Sequence, residues 1–297
     1  MTEAFTISHN GASAEISTQG AELLAWRVGE RPLLWQPDPE IWKQTSPLLF
    51  PVVGHQQNSQ IRVDGKTYPM GVHGFASTSL FVVHELSANK IALRLDHSNQ
   101  TMARYPFPFQ LTVEYTIENQ RLSVDMQVEN TGDSPMPYAI GLHPGFCWPL
   151  ENPKKEPEKD SRDSYLEFQV EEVYDVPDIS NNGLFLETTH KVPFKGKRLV
   201  INEPLLKNDA LCFLNAKSQS LRYVSDGGSA IEITARNFPH FAIWGKPPGK
   251  FLSIETWTGH GDPEGYDGEL SQKPSMRFLA PGCKTDHGVE FLFTEKT

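Results

Sequence analysis

The sequence predicts an all-β protein, a large antiparallel β-sandwich, and three observations carry that prediction. Short stretches alternate apolar and polar residues with period two, as half-buried strands do. The 23 prolines and 22 glycines are scattered along the chain, as many short strands joined by loops require. Helical periodicity is almost absent.

The elements follow in order. Phe5-Thr6-Ile7-Ser8 reads as a strand, Asn10-Gly11 as its turn, and Ala12 to Ser17 as the return. Pro37 to Trp42 predicts one short helical turn. Ile91 to Leu95 alternates, and so does Gln110 to Ile117. Glu118-Asn119-Gln120 then reads as a hairpin turn before Leu122 to Val128, which makes this pair the clearest antiparallel hairpin in the chain. Tyr138 to Leu142 reads as a strand stopped by Pro144-Gly145. Ala230 to Thr234, Phe251 to Trp257 and Val289 to Phe293 are further strands. Glu151 to Ser164 is highly charged and holds two prolines, so it predicts a solvated loop. Strand signals of the same kind resume beyond it, which favours one domain over residues 1–297 rather than two joined by a linker. Tyr266 to Lys273 predicts another polar loop.

Composition narrows the class of partner. The 297 residues are 38% apolar and 22% charged, enough for a sizeable core. A net charge of −10 argues against a nucleic-acid surface and against adhesion to anionic membranes, but does not exclude a neutral ligand such as a sugar. Cys147, Cys212 and Cys283 are odd in number and widely spaced, so neither a disulfide framework nor a cysteine zinc site is indicated. Met1 to Thr6 lacks a basic region followed by an apolar core, and no apolar run approaches the ~18 residues of a membrane span. These features lead us to expect a cytoplasmic, reducing location.

Three polar residues stand where apolar ones would otherwise be expected. His73 sits in Val72-His73-Gly74-Phe75, His143 in Gly141-Leu142-His143-Pro144-Gly145-Phe146, and Glu255 in Leu252-Ser253-Ile254-Glu255-Thr256-Trp257. Two imidazoles and one carboxylate suffice for acid–base chemistry on a small neutral molecule. Each also has a plainer reading. His73 could be a loop histidine bonded to backbone, and His143 a structural histidine at a sheet corner. On a strand, Glu255 shares a face with Ser253 and Phe251, either solvated or lining a cleft. Partial desolvation would raise its pKa and make it a better base near neutral pH. Asp209, just before Ala210 to Phe213, could accept sugar hydroxyls or simply make a turn. Dinucleotide, phosphate-loop, zinc-protease and hydrolase-elbow motifs are missing. A histidine–histidine–glutamate set could bind a metal, but the three residues are spread singly, so no metal and no cofactor is expected.

With these residues in place, the chain resembles the aldose 1-epimerase (galactose mutarotase-like) family over nearly its whole length. The resemblance is carried by Ser17 to Leu23, Leu34-Trp35, Trp42, Pro47 to Gly54, Tyr68-Pro69-Met70 leading to His73-Gly74-Phe75, Tyr105 to Phe109, Asn130-Thr131-Gly132, Gly141 to Phe146, and Ala280-Pro281-Gly282. It implies a supersandwich with its site in a cleft on one sheet. It implies Glu255 as base on the anomeric hydroxyl, His143 as acid on the ring oxygen and His73 as a stabiliser of developing charge. It implies Asp209 as a hydroxyl ligand, with one of Phe75, Phe146 or Trp257 stacking on the sugar face, where each could equally belong to the core. The partner implied is a small sugar, bound by a monomer or homodimer.

Two positions depart from the family. His55 follows Val53-Gly54, and Ser77 follows His73-Gly74-Phe75-Ala76, where arginines are usual. The loss of two guanidinium forks bears on the substrate more than on the chemistry. His55 either donates to a hydroxyl itself or is a loop residue. Two alternatives stand beside an epimerase of free hexoses: a hexose-6-phosphate 1-epimerase, which would want clustered cations, and a non-catalytic sugar-binding protein.

Overall fold

The computed structural model describes residues 2–150, 164–172, 174–207, 209–225 and 227–295. Strands dominate them, arranged in antiparallel sheets. The largest sheet has nine strands, in the order Arg198–Val200, Tyr165–Phe168, Ser220–Val224, Ala230–Arg236, Lys284–Thr294, Arg121–Asn130, Phe109–Glu118, Lys90–Asp96 and Val82–Leu86. The hairpin anticipated in the sequence lies inside it, in register at Val113 opposite Met126. Alternation explains its placement. Phe109, Leu111, Val113, Tyr115 and Ile117 are fully buried on one face, while the residues between them meet solvent.

A second sheet carries the site. It runs Leu211–Phe213, His240–Trp244, Phe251–Trp257, Gly141–Leu142 and Leu48–Leu49, with Gly145–Cys147 also paired to Phe251–Trp257. Every residue of Phe251–Trp257 is buried, as expected of a central strand covered on both faces. Aromatic contacts join the two sheets. Phe146 meets Phe291 at 5.4 Å between ring centroids, and Phe168 meets Phe241 at 6.4 Å. Four strands between Ala4 and Pro32 form a smaller sheet that packs Trp26 against Phe291. A separate hairpin, Asp175–Ile179 with Phe185–Lys191, hangs from the 262–264 segment. The Phe185 N–H donates to the Asp262 carbonyl at 2.9 Å, and the Glu264 N–H donates to the Phe185 carbonyl at 2.8 Å.

Several local expectations are corrected. Pro37 to Trp42 is not helical: the Asp38 N–H donates to the Trp42 carbonyl at 3.0 Å and closes a loop. Pro39 disfavours helical backbone at Asp38, whose Oδ1 accepts the Glu40 N–H at 2.9 Å in a side-chain turn. Tyr138 to Leu142 is not one strand. Met136–Tyr138 pairs with Arg277–Leu279, and Gly141–Leu142 joins the second sheet. Between them, Ala139 donates to the Pro51 carbonyl and Ile140 to Thr258 Oγ1, so the chain changes partner without breaking its apolar run. A single helical turn, Asn99–Met102, closes on a Ser98–Thr101 capping box. The expected loop at 266–273 contains a short 3-10 turn, Leu270–Gln272. The charged segment 151–163 lies outside the described residues. No helix among the described residues is long and apolar enough to cross a membrane.

Candidate active site

A cleft of about 1140 Å³ opens over the second sheet, lined by His73, His143, Glu255 and Trp257, with the Asp175–Lys191 hairpin as its outer wall. The strand Phe251–Trp257 builds its floor by simple alternation. Phe251, Ser253, Glu255 and Trp257 share one face, while Leu252 and Ile254 go to the core on the other. Each residue of the site face has a partner there. Phe251 stacks on Trp42 at 5.0 Å, and Ser253 Oγ lies 2.9 Å from His143 Nδ1. Glu255 Oε1 lies 3.2 Å from His143 Nε2. Trp257 donates its indole N–H to Glu255 Oε2 at 2.9 Å.

His143 stands just beyond Gly141–Leu142, with its backbone N–H given to the Pro47 carbonyl at 3.1 Å. Trp42 lies over the imidazole at 5.1 Å, and Trp244 meets it edge-on at 5.6 Å. Gly145 makes room for this lid, since a Cβ there would sit 2.5 Å from Trp42 Cζ3.

His73 adopts a left-handed backbone with φ of 61°, uncommon for a residue other than glycine. Two reciprocal bonds hold it there. Its backbone N–H donates to the Gly54 carbonyl at 3.0 Å, and its Nδ1 accepts the Gly54 N–H at 3.1 Å. An Nδ1 that accepts leaves the proton on Nε2 in the neutral ring. Gly54 in turn lies so close to Gly261 that a Cβ would meet its Cα at 2.6 Å. The His73 and His143 rings are 5.7 Å apart and perpendicular.

The electrostatics follow from burial. Desolvation pushes the Glu255 carboxyl well above its ordinary range; the Trp257 hydrogen bond opposes this and the Asp209 charge adds to it. Desolvation, then His73, pushes His143 well below the usual histidine value. Both directions favour the uncharged pair. Burial and His55 bring His73 down to about 4, so it is neutral at pH 7.

The remaining expected residues divide. His55, Asp209 and Trp257 all line the cleft. Asp209 is exposed, with Oδ1 on the Ala210 N–H at 2.7 Å. The exposed His55 ring lies against Gly183 of the outer hairpin. Phe75 and Phe146 are corrected: neither lines the cleft. Phe75 is buried against Phe109, Phe50 and Tyr105, and Phe146 is buried against Phe291, because both chain segments turn inward straight after their histidines. Ser77 lies in a 3-10 turn outside the cleft, its backbone pressed on Gly20. Sequence reasoning gave no role to Ser253, Trp42 or Trp244, and missed Asp178, whose Oδ1 meets His190 Nδ1 at 2.6 Å in the outer wall. Among the described residues, no group of three or more His, Cys, Asp or Glu is placed to hold a metal ion.

The fold and this cleft define a galactose mutarotase-like β-sandwich. Residues 3–287 match the sequence model of the aldose 1-epimerase family, and the chain belongs to that family. It is 28% identical over 260 residues to the chromosomal protein LacX of Lactococcus lactis subsp. lactis, covering 84% of this chain and 85% of that protein. The structure of a galactose mutarotase related enzyme from Lactobacillus acidophilus superposes with a TM-score of 0.89 at 28% identity, covering 99% of this chain and 98% of that one. A galactose mutarotase-like protein from Lactobacillus casei ATCC 334 shares the fold with a TM-score of 0.91 at 24% identity, covering 98% of this chain and all (100%) of that one.

Proposed function

We propose that this protein is an aldose 1-epimerase that interconverts the α and β anomers of a hexose or related uncharged sugar. The observation that carries the reading is the buried Glu255–His143 pair, 3.2 Å apart at the floor of an open cleft. Acid–base opening of a sugar ring needs one base and one acid within reach of the reacting oxygens, directly or through one water. In its charged form the pair is both. Carboxylate Glu255 takes the proton of the anomeric hydroxyl while imidazolium His143 protonates the ring oxygen. The C1–O bond to the ring breaks and a C1 carbonyl forms, leaving Glu255 as the acid and His143 neutral. Rotation about the C1–C2 bond presents the other carbonyl face, and closure runs the same steps backwards. No net proton is lost, so the pair is ready for the next turnover.

The surrounding residues support this assignment. Neutral His73 offers its Nε2–H towards the reacting oxygens and stabilises charge developing there. Asp209 and His55 stand in the cleft as an acceptor and a donor for ring hydroxyls, and Trp257 both lines the wall and holds Glu255. Proton transfer by placed groups contributes about 10²–10⁴-fold. Lys207 and Lys246 also line the cleft, and they favour a hexose 6-phosphate as the second reading.

The test is polarimetry on freshly dissolved α-glucose and α-galactose, with a sugar-phosphate panel alongside, comparing wild type with Glu255→Gln. Acceleration that the variant lacks supports the epimerase. A wild type that binds sugar and accelerates no anomer overturns it in favour of a sugar-binding protein.

A further inference from the structure

Ser253 is wholly buried on the site face of the central strand, and its hydroxyl touches two groups. Oγ lies 2.9 Å from His143 Nδ1 and 3.0 Å from the Pro144 carbonyl oxygen. A hydroxyl has one proton to give. The carbonyl is only an acceptor, whereas Nδ1 can donate or accept according to its tautomer. Were the proton given to Nδ1, two oxygens would face each other at 3.0 Å with lone pairs opposed and nothing between them. Given to Pro144, it leaves Oγ free to accept from Nδ1–H, and both contacts become hydrogen bonds. The Pro144 carbonyl also takes the Ile254 N–H at 3.2 Å, within the capacity of its two lone pairs.

We propose that Ser253 is a positioning residue for the reaction: it fixes the proton of His143 on Nδ1, so that Nε2, which faces Glu255, is the only nitrogen that exchanges a proton with the sugar. This rests on the epimerase reading and deepens it. The consequence is chemical. With Nδ1 protonated, His143 donates from Nε2 as an imidazolium and relaxes to a neutral ring. With the tautomer reversed, Nε2–H could be given up only by leaving an imidazolide, which is no acid near neutral pH. In that state Nε2–H would also donate to Glu255 and hold it as a carboxylate with no acid beside it. The charged and titratable groups around His143 are Glu255 and His73; the Asp209 charge acts on Glu255, and Glu255 in turn on the buried Cys212 thiol. None of them reaches Nδ1, where the serine hydroxyl is the side-chain partner; a hydrogen bond with the histidine's own backbone also favours the protonated ring.

The test pairs kinetics with proton–nitrogen NMR of isotope-labelled histidine, which distinguishes the two tautomers directly. Wild-type His143 is expected in the Nδ1–H form. Ser253→Ala should move it towards Nε2–H and lower kcat by about 10–100-fold with KM little changed, the range typical of a residue that orients an active group. Ser253→Thr, which keeps a hydroxyl, should restore the Nδ1–H signature and the rate. Wild type in the Nε2–H form overturns the proposal without any variant. So does a Ser253→Ala protein with unchanged tautomer and unchanged kcat. A wild type in the Nδ1–H form that accelerates no anomer overturns the epimerase reading and leaves the tautomer assignment standing.

Discussion

Trp257 holds Glu255 from its own strand: its indole N–H reaches Glu255 Oε2 at 2.9 Å, two residues back along Phe251–Trp257. This bond favours the carboxylate form and opposes the burial that favours the acid. In the proposed reaction Glu255 must be deprotonated to accept the anomeric proton. Removing the donor in Trp257→Phe therefore raises the Glu255 pKa further. The reactive carboxylate–imidazolium form holds as many protons as the uncharged pair that burial favours, so Glu255 sets the alkaline limb of the kcat/KM profile; that limb should move up by about one to two pH units, given ~1.5–3 kcal/mol for a hydrogen bond to a charged group and 1.36 kcal/mol per pKa unit. A profile measured by polarimetry that stays in place, or moves down, contradicts the role given to the indole.

Glu255 should also be a stability liability. Its carboxyl is held above the ordinary value of 4.5 in the folded protein, so the folded state binds this proton more tightly than the unfolded chain does. Stability from this group is complete below that value and is lost as pH rises towards the folded pKa, at about 1.4 kcal/mol for each pH unit. Glu255→Gln removes the titration. Thermal melts of the two proteins should converge at pH 4 and diverge as pH rises, with the Gln variant melting higher at pH 8. A variant that melts lower at both pH values contradicts this.

His55 and Gly183 should behave as a coupled pair. Gly183 has φ of 76°, and a side chain there would run into the His55 ring. Gly183→Ala should therefore displace the outer hairpin, raise KM and lower the melting temperature. In a His55→Ala background the collision disappears and only the left-handed backbone penalty remains, about 1–2 kcal/mol. The double variant should thus lose less than the sum of the single losses. Strict additivity in KM and in melting temperature would separate the hairpin from His55.

How much of this was legible in the sequence depended on distance along the chain. Period-two alternation is local, so the Phe109–Glu118 and Arg121–Asn130 hairpin, and the odd-numbered face that carries Ser253 and Glu255, could be read directly. A carboxylate inside an apolar run is also a local signal, which is why Glu255 stood out. What alternation cannot show is the partner. Ser253 meets His143 across 110 residues, and Trp42 comes to lie on Phe251 from the far end of the chain. Nor does it show that Tyr138 and Leu142 belong to different sheets. Phe75 and Phe146 misled for a related reason. Each lies within three residues of a cleft histidine, yet a left-handed turn at His73-Gly74 and the Pro144-Gly145 break send both rings to the opposite side.

The place of Lys284–Thr294 in the nine-stranded sheet bears on how the chain is made. This strand lies between Arg121–Asn130 and Ala230–Arg236 and pairs with both. Every other strand of that sheet is synthesised earlier. On a translating ribosome the sheet therefore waits as two open halves, each presenting an unpaired edge, until residue 294 has emerged. Closure brings in Val289, Phe291 and Phe293, and with Phe291 the surface on which Phe146 and Trp26 rest. The floor of the cleft is thus backed by the last strand of the sheet to arrive, and the nascent protein is most exposed to self-association just before its cleft is complete.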